Sequence, residues 1–246
     1  MDNLKDKARA RALDAATERE VATREILAVI NQSRDDEAPV FDAILENAAR
    51  LCRAPIAFLS LANEMRTEVT IPAHRGTRSE FGSILDGFVE PISRRELVAI
   101  RPIVDGQVAR QTDIKDDDAY RNGDPRRLQM VDVEGARSVL AVPLISDGTP
   151  IGAIVLYRRE VLAFDDDDEA LVQSFAAQAV IAIENVRQFR ELEVRLEREE
   201  ATIQALKAIS RSRDNEAPVF DIIIESASRL SNSYMGTLFL LSDDGT

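Results

Sequence analysis

The chain has 246 residues, 45% of them hydrophobic, with no Trp and 44 acidic against 31 basic residues, a formal net charge of −13. That composition suits a soluble globular fold with one sizeable core, and its field disfavours nucleic acid and anionic membrane as partners. The single cysteine excludes an internal disulfide framework and fits a reducing cytoplasm, and "MDNLKDKARARALD" lacks the apolar stretch of a signal peptide.

Residues 3–33 are rich in Ala, Arg, Glu and Leu without Gly or Pro, which predicts a first helix. A second runs from Pro39, well placed near a helix start, to Leu51. Phe41, Ile44, Leu45, Ala48 and Cys52 recur on one face of it, which makes Cys52 a buried, inert thiol. "PIAFLSLANE" and "TEVTIPAH" follow as a strand and its hairpin partner. The stretch 76–135 is less regular: a strand is expected near "RPIVDG", an acidic turn at "KDDDAYRNGDP" and a short helix at "PRRLQMVDV". Two clear strands, "RSVLAVPLI" and "PIGAIVLYRR", are joined by a tight hairpin turn at Ser146-Asp147-Gly148-Thr149. Helices around an antiparallel set of strands make an α+β domain.

From Asp165 to about Ser210 there is neither Gly nor Pro, which predicts a helix longer than one small domain needs. In its second half Phe189, Leu192, Leu196, Ile203 and Leu206 fall on alternating three- and four-residue steps, with Asn185 and Glu199 as polar interruptions of the same seam. Charged residues cover the other faces. A lone helix would leave that stripe in water, so a parallel homodimer through the terminal helices is favoured over a solvated single helix.

The chain also repeats itself. "RDDEAPVFDAILENAARL" from Arg34 returns at Arg213 as "RDNEAPVFDIIIESASRL". The offset is 213 − 34 = 179 residues, too long for a solenoid unit and about the size of a domain with its connector. The expected organisation is a leading helix at 1–21, one domain at 22–190, a coiled-coil linker at 191–210 and the truncated start of a second such domain at 211–246. The chain is then a fragment of a longer tandem-domain protein.

"RSVLAVPLISDGTPIGAIVLYRREVLAFDDDDEALVQSFAAQAVIAIENVR" resembles the C-terminal half of a GAF domain, and "ILAVINQSRDDEAPVFDAILENAARLCRAPIAFLSL" its N-terminal half. "YRNGDPRR" and "VEGARSVLAVPL" are similar to GAF domains of bacterial signalling proteins, mainly sensor histidine kinases and nucleotide cyclases. The Gly-rich turn usual before the central strand is replaced here by "SRRELVAIRP". The resemblance implies a central antiparallel sheet with the helices that enter and leave the domain, the entry and exit helices, on one face, continuing into a long signalling helix. It implies a ligand pocket, in some members, on the other face. The implied function is a non-catalytic sensory and relay module of a two-component or related system; a ligand-free dimerisation spacer is the alternative.

Strand alternation places Phe58 and Ser60 on one face of their strand, opposite Ala57, Leu59 and Leu61. Ser138, Leu140 and Val142 share a face of theirs, and Leu128 and Val131 on the short helix would cap the opening. Arg137 or Arg127 would meet an anionic ligand. These residues define either a pocket or a filled core plugged by Phe58. No cofactor is evident. Phe164-x-x-x-Asp168-Glu169 resembles half of the cyclic-nucleotide motif of GAF domains, but Tyr157-Arg158 stands where Asn-Lys is expected. Phe164 then reads as a plug beneath a helix start, with the Asp residues interacting with its dipole. A GAF-type redox enzyme would need a second thiol, and a bilin carrier a chromophore signature. The only histidine, His74, reads as an exposed turn residue at a strand end, one His and one Cys make a weak zinc set, and no catalytic residue stands out.

Overall fold

The computed structural model describes residues 2–33 and 35–211, with a few scattered positions beyond 219. The opening of the second domain at 211–246 therefore lies almost wholly outside the described residues. The chain divides into two units, 1–186 and 187–246.

In the first unit, α1 (Asp2–Gln32) and α2 (Ala38–Leu51) lead into a six-stranded sheet. The strands are β1 (Ile56–Ala62), β2 (Glu68–Arg75), β3 (Val89–Pro91), β4 (Ala109–Gln111), β5 (Ser138–Ser146) and β6 (Thr149–Arg158), ordered β3-β2-β1-β6-β5-β4 with every pair antiparallel. Between β2 and β5 lie α3 (Ser79–Asp86), α4 (Arg101–Asp105), α5 (Asp118–Arg121), α6 (Pro125–Leu128) and a single π turn over Gln129–Val133. The last element is α7 (Asp166–Arg211). This is the expected α+β architecture.

The β5–β6 turn closes as expected: Asp147 and Gly148 both have positive φ, 46° and 76°, the conformation that matches the twist of a two-residue hairpin. One expected strand is overturned. "RPIVDG" is α4, a helix, because Pro102 starts a turn and Gly106 ends it in the left-handed region at φ 68°. The edge strands β3 and β4 are three residues each, too short for periodicity to reveal.

The sheet is apolar on both faces, and each face has its own core. On one side Ala57, Leu59, Leu140, Val142, Ile154 and Leu156 pack against Ile26 of α1, Phe41 and Ile44 of α2, and Val172 and Phe175 of α7. On the other, Phe58, Val139, Ala141, Val155 and Tyr157 pack under α3, α4 and the π turn. Alternate residues of β6 thus touch opposite cores, because successive strand side chains point to opposite faces.

The second unit holds the later part of α7. Leu192, Leu196, Ile203 and Leu206 are exposed on it and Phe189 is half-buried. No helix among the described residues is long and apolar enough to cross a membrane.

Candidate functional site

The face of the sheet away from α1, α2 and α7 carries a narrow cavity of about 470 Å³, counting the space that opens to solvent. Its floor is Phe58 of β1, Ile71 of β2 and Tyr157 of β6; the Phe58 and Tyr157 rings lie 5.9 Å apart, tilted by 34°. One wall is α3 with Phe81, Ile84 and Leu85, continued by Phe88. The facing wall is the Leu97–Ala99 segment before α4, and the mouth is formed by Arg126, Arg127 and Met130.

Each wall is held from outside the cavity. Ser60 donates to the Ala99 carbonyl at 2.8 Å, tying the Leu97–Ala99 segment to β1. Glu134, fully buried, accepts the Arg78 backbone N–H with both oxygens, at 3.0 and 3.1 Å, and so fixes the start of α3. At the other end of α3, Asp86 lies 2.9 Å from His74 Nε2, while Thr77 Oγ1 is 3.2 Å from Nδ1. His74 is therefore not the exposed turn residue expected: it ends β2 as a largely covered partner of the cavity wall. The π turn after α6 inserts an extra residue per turn, and Met130 of that turn lines the mouth.

The mouth is also a charge network. Arg126 contacts Glu90 at 3.1 Å and covers the Phe88 ring at 5.5 Å. Arg94 joins the same Glu90 at 3.1 Å, Asp124 at 2.6 Å and Glu96 at 2.8 Å, and hydrogen bonds from Arg94 hold Glu96 below the usual carboxylate range. Arg127, 3% exposed, lies 2.8 Å from Asp117, which caps α5 by accepting the Tyr120 N–H. Burial pushes the Tyr157 phenol up, and the neighbouring Arg127 opposes part of that rise.

The expected site residues separate. Phe58 lines the cavity, Ser60 stands behind its wall, and Val131 is buried in the same core outside the lining. Leu128 is half-buried on α6, away from the lining. Leu140 and Val142 are corrections: both belong to the helix-facing core, since the opposite set on β5, Val139 and Ala141, faces the cavity side. β5 is buried on both faces from Ser138 to Leu144, so its sequence carries no polar-apolar alternation to set the choice. Ser138 is buried, its hydroxyl 2.6 Å from the Thr112 carbonyl and 2.9 Å from the Glu160 carbonyl, either of which takes its one proton. Arg137 is bound side-on to Asp113 outside the cavity. The α3 residues and Tyr157 were missed; Phe81, Ile84 and Leu85 do sit at helical spacing inside the stretch that looked irregular.

The Phe164 and Asp168 positions lie on the helix side. Arg158 stacks over Phe164 at 4.0 Å, donates to the Cys52 carbonyl at 2.7 and 3.1 Å, and pairs with Asp168 at 2.8 Å. Asp165 and Asp168 exchange backbone and side-chain hydrogen bonds, a reciprocal cap on α7. Cys52 is fully buried there, its thiol pushed up to about 12 chiefly by burial, and so carries negligible thiolate near neutral pH.

Known proteins agree with this geometry. The model of the GAF domain matches residues 36–183. A methyl-accepting chemotaxis protein fragment superposes with a TM-score of 0.55 at 22% identity, over 66% of this chain and 97% of that one. A bacteriophytochrome from R. palustris gives 0.65 at 13% identity, over 91% and 50%. Free methionine-R-sulfoxide reductase from Neisseria meningitidis, in complex with its substrate, gives 0.53 at 19% identity, over 71% and 93%. No curated protein matches the sequence. With a two-faced antiparallel sheet and a family match over more than half its length, the chain belongs to the GAF domain family.

Proposed function

We propose that this chain is a non-catalytic sensory and relay segment of a signal-transduction protein, with a histidine kinase as the first expected output and a nucleotide cyclase as the second. A small molecule or partner engages the cavity face, and the change passes through the sheet to the helix face and along α7. The working unit is a cytoplasmic homodimer, joined through the terminal helices along Phe189, Leu192, Leu196, Ile203 and Leu206. Residues 22–190 form the sensing domain, 1–21 its leading helix, 191–210 the coiled-coil linker and 211–246 the start of a second GAF domain.

The observation that carries this reading is the sharing of β6 between the two cores. Tyr157 lines the cavity, its neighbour Leu156 packs in the core that holds α1, α2 and α7, and Arg158 ties the strand end to the α7 cap. A displacement at the cavity floor therefore reaches α7 through adjacent residues of one strand. Signalling needs two helix arrangements that differ in affinity for the ligand. Fold neighbours that include a chemotaxis protein and a bacteriophytochrome support that reading. A reductase also has the fold, but the one cysteine here is buried on the helix side with a raised thiol pKa.

A thermal-shift screen of the whole chain against cyclic nucleotides, haem, bilins, metals and small metabolites tests the sensing half. A site saturated at 100 times its dissociation constant adds roughly 2.7 kcal/mol. A dose-dependent rise with one ligand class is expected. No rise across the panel, with dimers still present by light scattering, would replace the sensor by a ligand-free dimerisation spacer.

A further inference from the structure

We infer that the cavity takes a neutral molecule with a compact apolar body and a carbonyl-type oxygen, which Arg127 recognises through the Nε–Nη2 edge of its guanidinium. The inference rests on the sensory reading above and narrows the chemistry of its ligand.

The starting point is an unfilled pair of donors. Arg127 is 3% exposed and lines the cavity beside the Tyr157 phenol, yet its Nε and Nη2 complete no hydrogen bond of ordinary geometry. Asp117 Oδ2 stands 2.8 Å from Nη2 and is likewise without a hydrogen bond, so this contact is an ion pair whose oxygen is out of line with the N–H. Nε and Nη2 form one edge of the planar guanidinium, with parallel donors suited to a single recognition group. A buried donor without a well-aligned acceptor is costly, so a molecule that supplies one there is favoured.

The remaining lining sets the rest of the ligand. Among the described residues, Arg126, Arg127 and Tyr157 are the only polar side chains on the cavity, and none is a carboxylate or an amide. The other walls are apolar, mostly Phe, Leu and Ile. The complement is an apolar body with an acceptor at one end.

Charge decides between a carboxylate and a neutral carbonyl. Arg94, Arg126 and Arg127 are already matched by Glu90, Asp124 and Asp117. Arg101, which acts on Tyr157 from α4, is a fourth cation of the group, and Glu96, bound to Arg94, a fourth anion. Four cations face four anions, so the mouth offers no surplus positive charge. A carboxylate would have to displace Asp117, whose side chain is only 10% exposed, or sit beside it. Either choice leaves an uncompensated buried anion, a cost that outweighs the hydrogen bonds gained. A neutral carbonyl fills the same edge and leaves the Arg127–Asp117 pair intact.

Phenylacetamide, phenylacetate and toluene share a ring and differ in acceptor and charge. Calorimetric titration of the full chain with each tests the inference. Phenylacetamide is expected to bind about tenfold tighter than phenylacetate or toluene, the scale of one hydrogen bond to a charged donor. Arg127→Lys keeps a cation beside Asp117 but removes the two-donor edge, so phenylacetamide should fall to the toluene level while toluene binding stays unchanged. Circular dichroism of that variant checks that it folds, and Arg127→Gln, which also lacks the edge, is the second variant should Lys fail. Phenylacetate binding as tightly as the amide, or an amide preference that survives Arg127→Lys, overturns the inference. Toluene binding alone, or no binding of any of the three, removes the ligand class and leaves the sensory cavity to be decided by the thermal-shift panel.

Discussion

The two faces of the sheet are built from similar residues and do different things. The helix face is filled by Ile26, Ile44, Leu59, Leu140 and Phe175, all fully buried, with Arg158 satisfied by carbonyls and a carboxylate at its rim. The cavity face has Phe58, Phe81, Leu85 and Phe88 nearly as buried, yet leaves space between them and a guanidinium edge unfilled. Burial alone therefore does not mark a binding face. What separates the two is that the cavity face leaves a buried guanidinium edge unfilled beside open space, whereas the guanidinium of Arg158 on the helix face is bound on its carbonyl and carboxylate partners.

The sharpest way to break this contrast is to truncate one aromatic on each side. Phe175→Ala should cost about 3–5 kcal/mol in urea unfolding, because α7 and the sheet cannot collapse into the space left. Phe81→Ala, which enlarges an existing void, should cost roughly half that. Equal losses would mean that the cavity face is packed as tightly as the helix face.

Next in size is Arg158→Met, expected to cost about 3 kcal/mol because Asp168 and the Cys52 carbonyl lose their buried partner. Adding Asp168→Asn to it should restore part of the loss in a double-mutant cycle. Strictly additive losses would show that the two do not act as a pair.

On the exposed stripe, Leu192→Asp with Leu196→Asp should convert dimer to monomer in sedimentation velocity. Each changes the first unit's own unfolding by no more than about 0.5 kcal/mol, as for other surface positions. A dimer that persists would move the interface elsewhere.

The smallest expected effect is a pH dependence at the sheet edge. Hydrogen bonds from Arg137 hold the Asp113 carboxyl below its ordinary value of 3.8. Its folded pKa lies below the unfolded one, so its contribution is present above about pH 4 and lost as pH falls through the lowered folded value. Asp113→Asn should flatten the acid limb of a thermal-midpoint profile between pH 5 and pH 2 and leave neutral pH nearly unchanged. An acid limb identical to that of the native chain would assign it to other carboxylates.

Much of this was legible in the sequence, for physical reasons that differ by element. The apolar spacing of Phe41, Ile44 and Ala48 placed α2 and its buried face, and the Asp147-Gly148 pair placed the hairpin, because helix period and turn chemistry are local. The Arg101–Asp105 helix reads as a strand because three apolar or proline residues cannot distinguish the two periods; Gly106 is the stop signal that does. On the cavity, Phe58 could be placed from alternation, but Leu140 and Val142 could not, since β5 is apolar on both faces. Arg127 was singled out beside Arg137. Only the fold distinguishes them, setting one in the cavity mouth and the other against Asp113.

The claim that joins the two faces is tested most directly by hydrogen–deuterium exchange along α7, with and without saturating phenylacetamide. The account predicts slower exchange in α3 and around Leu97–Ala99, together with a changed rate in α7 on the opposite side of the sheet. Exchange altered only at the cavity, or nowhere, would contradict it.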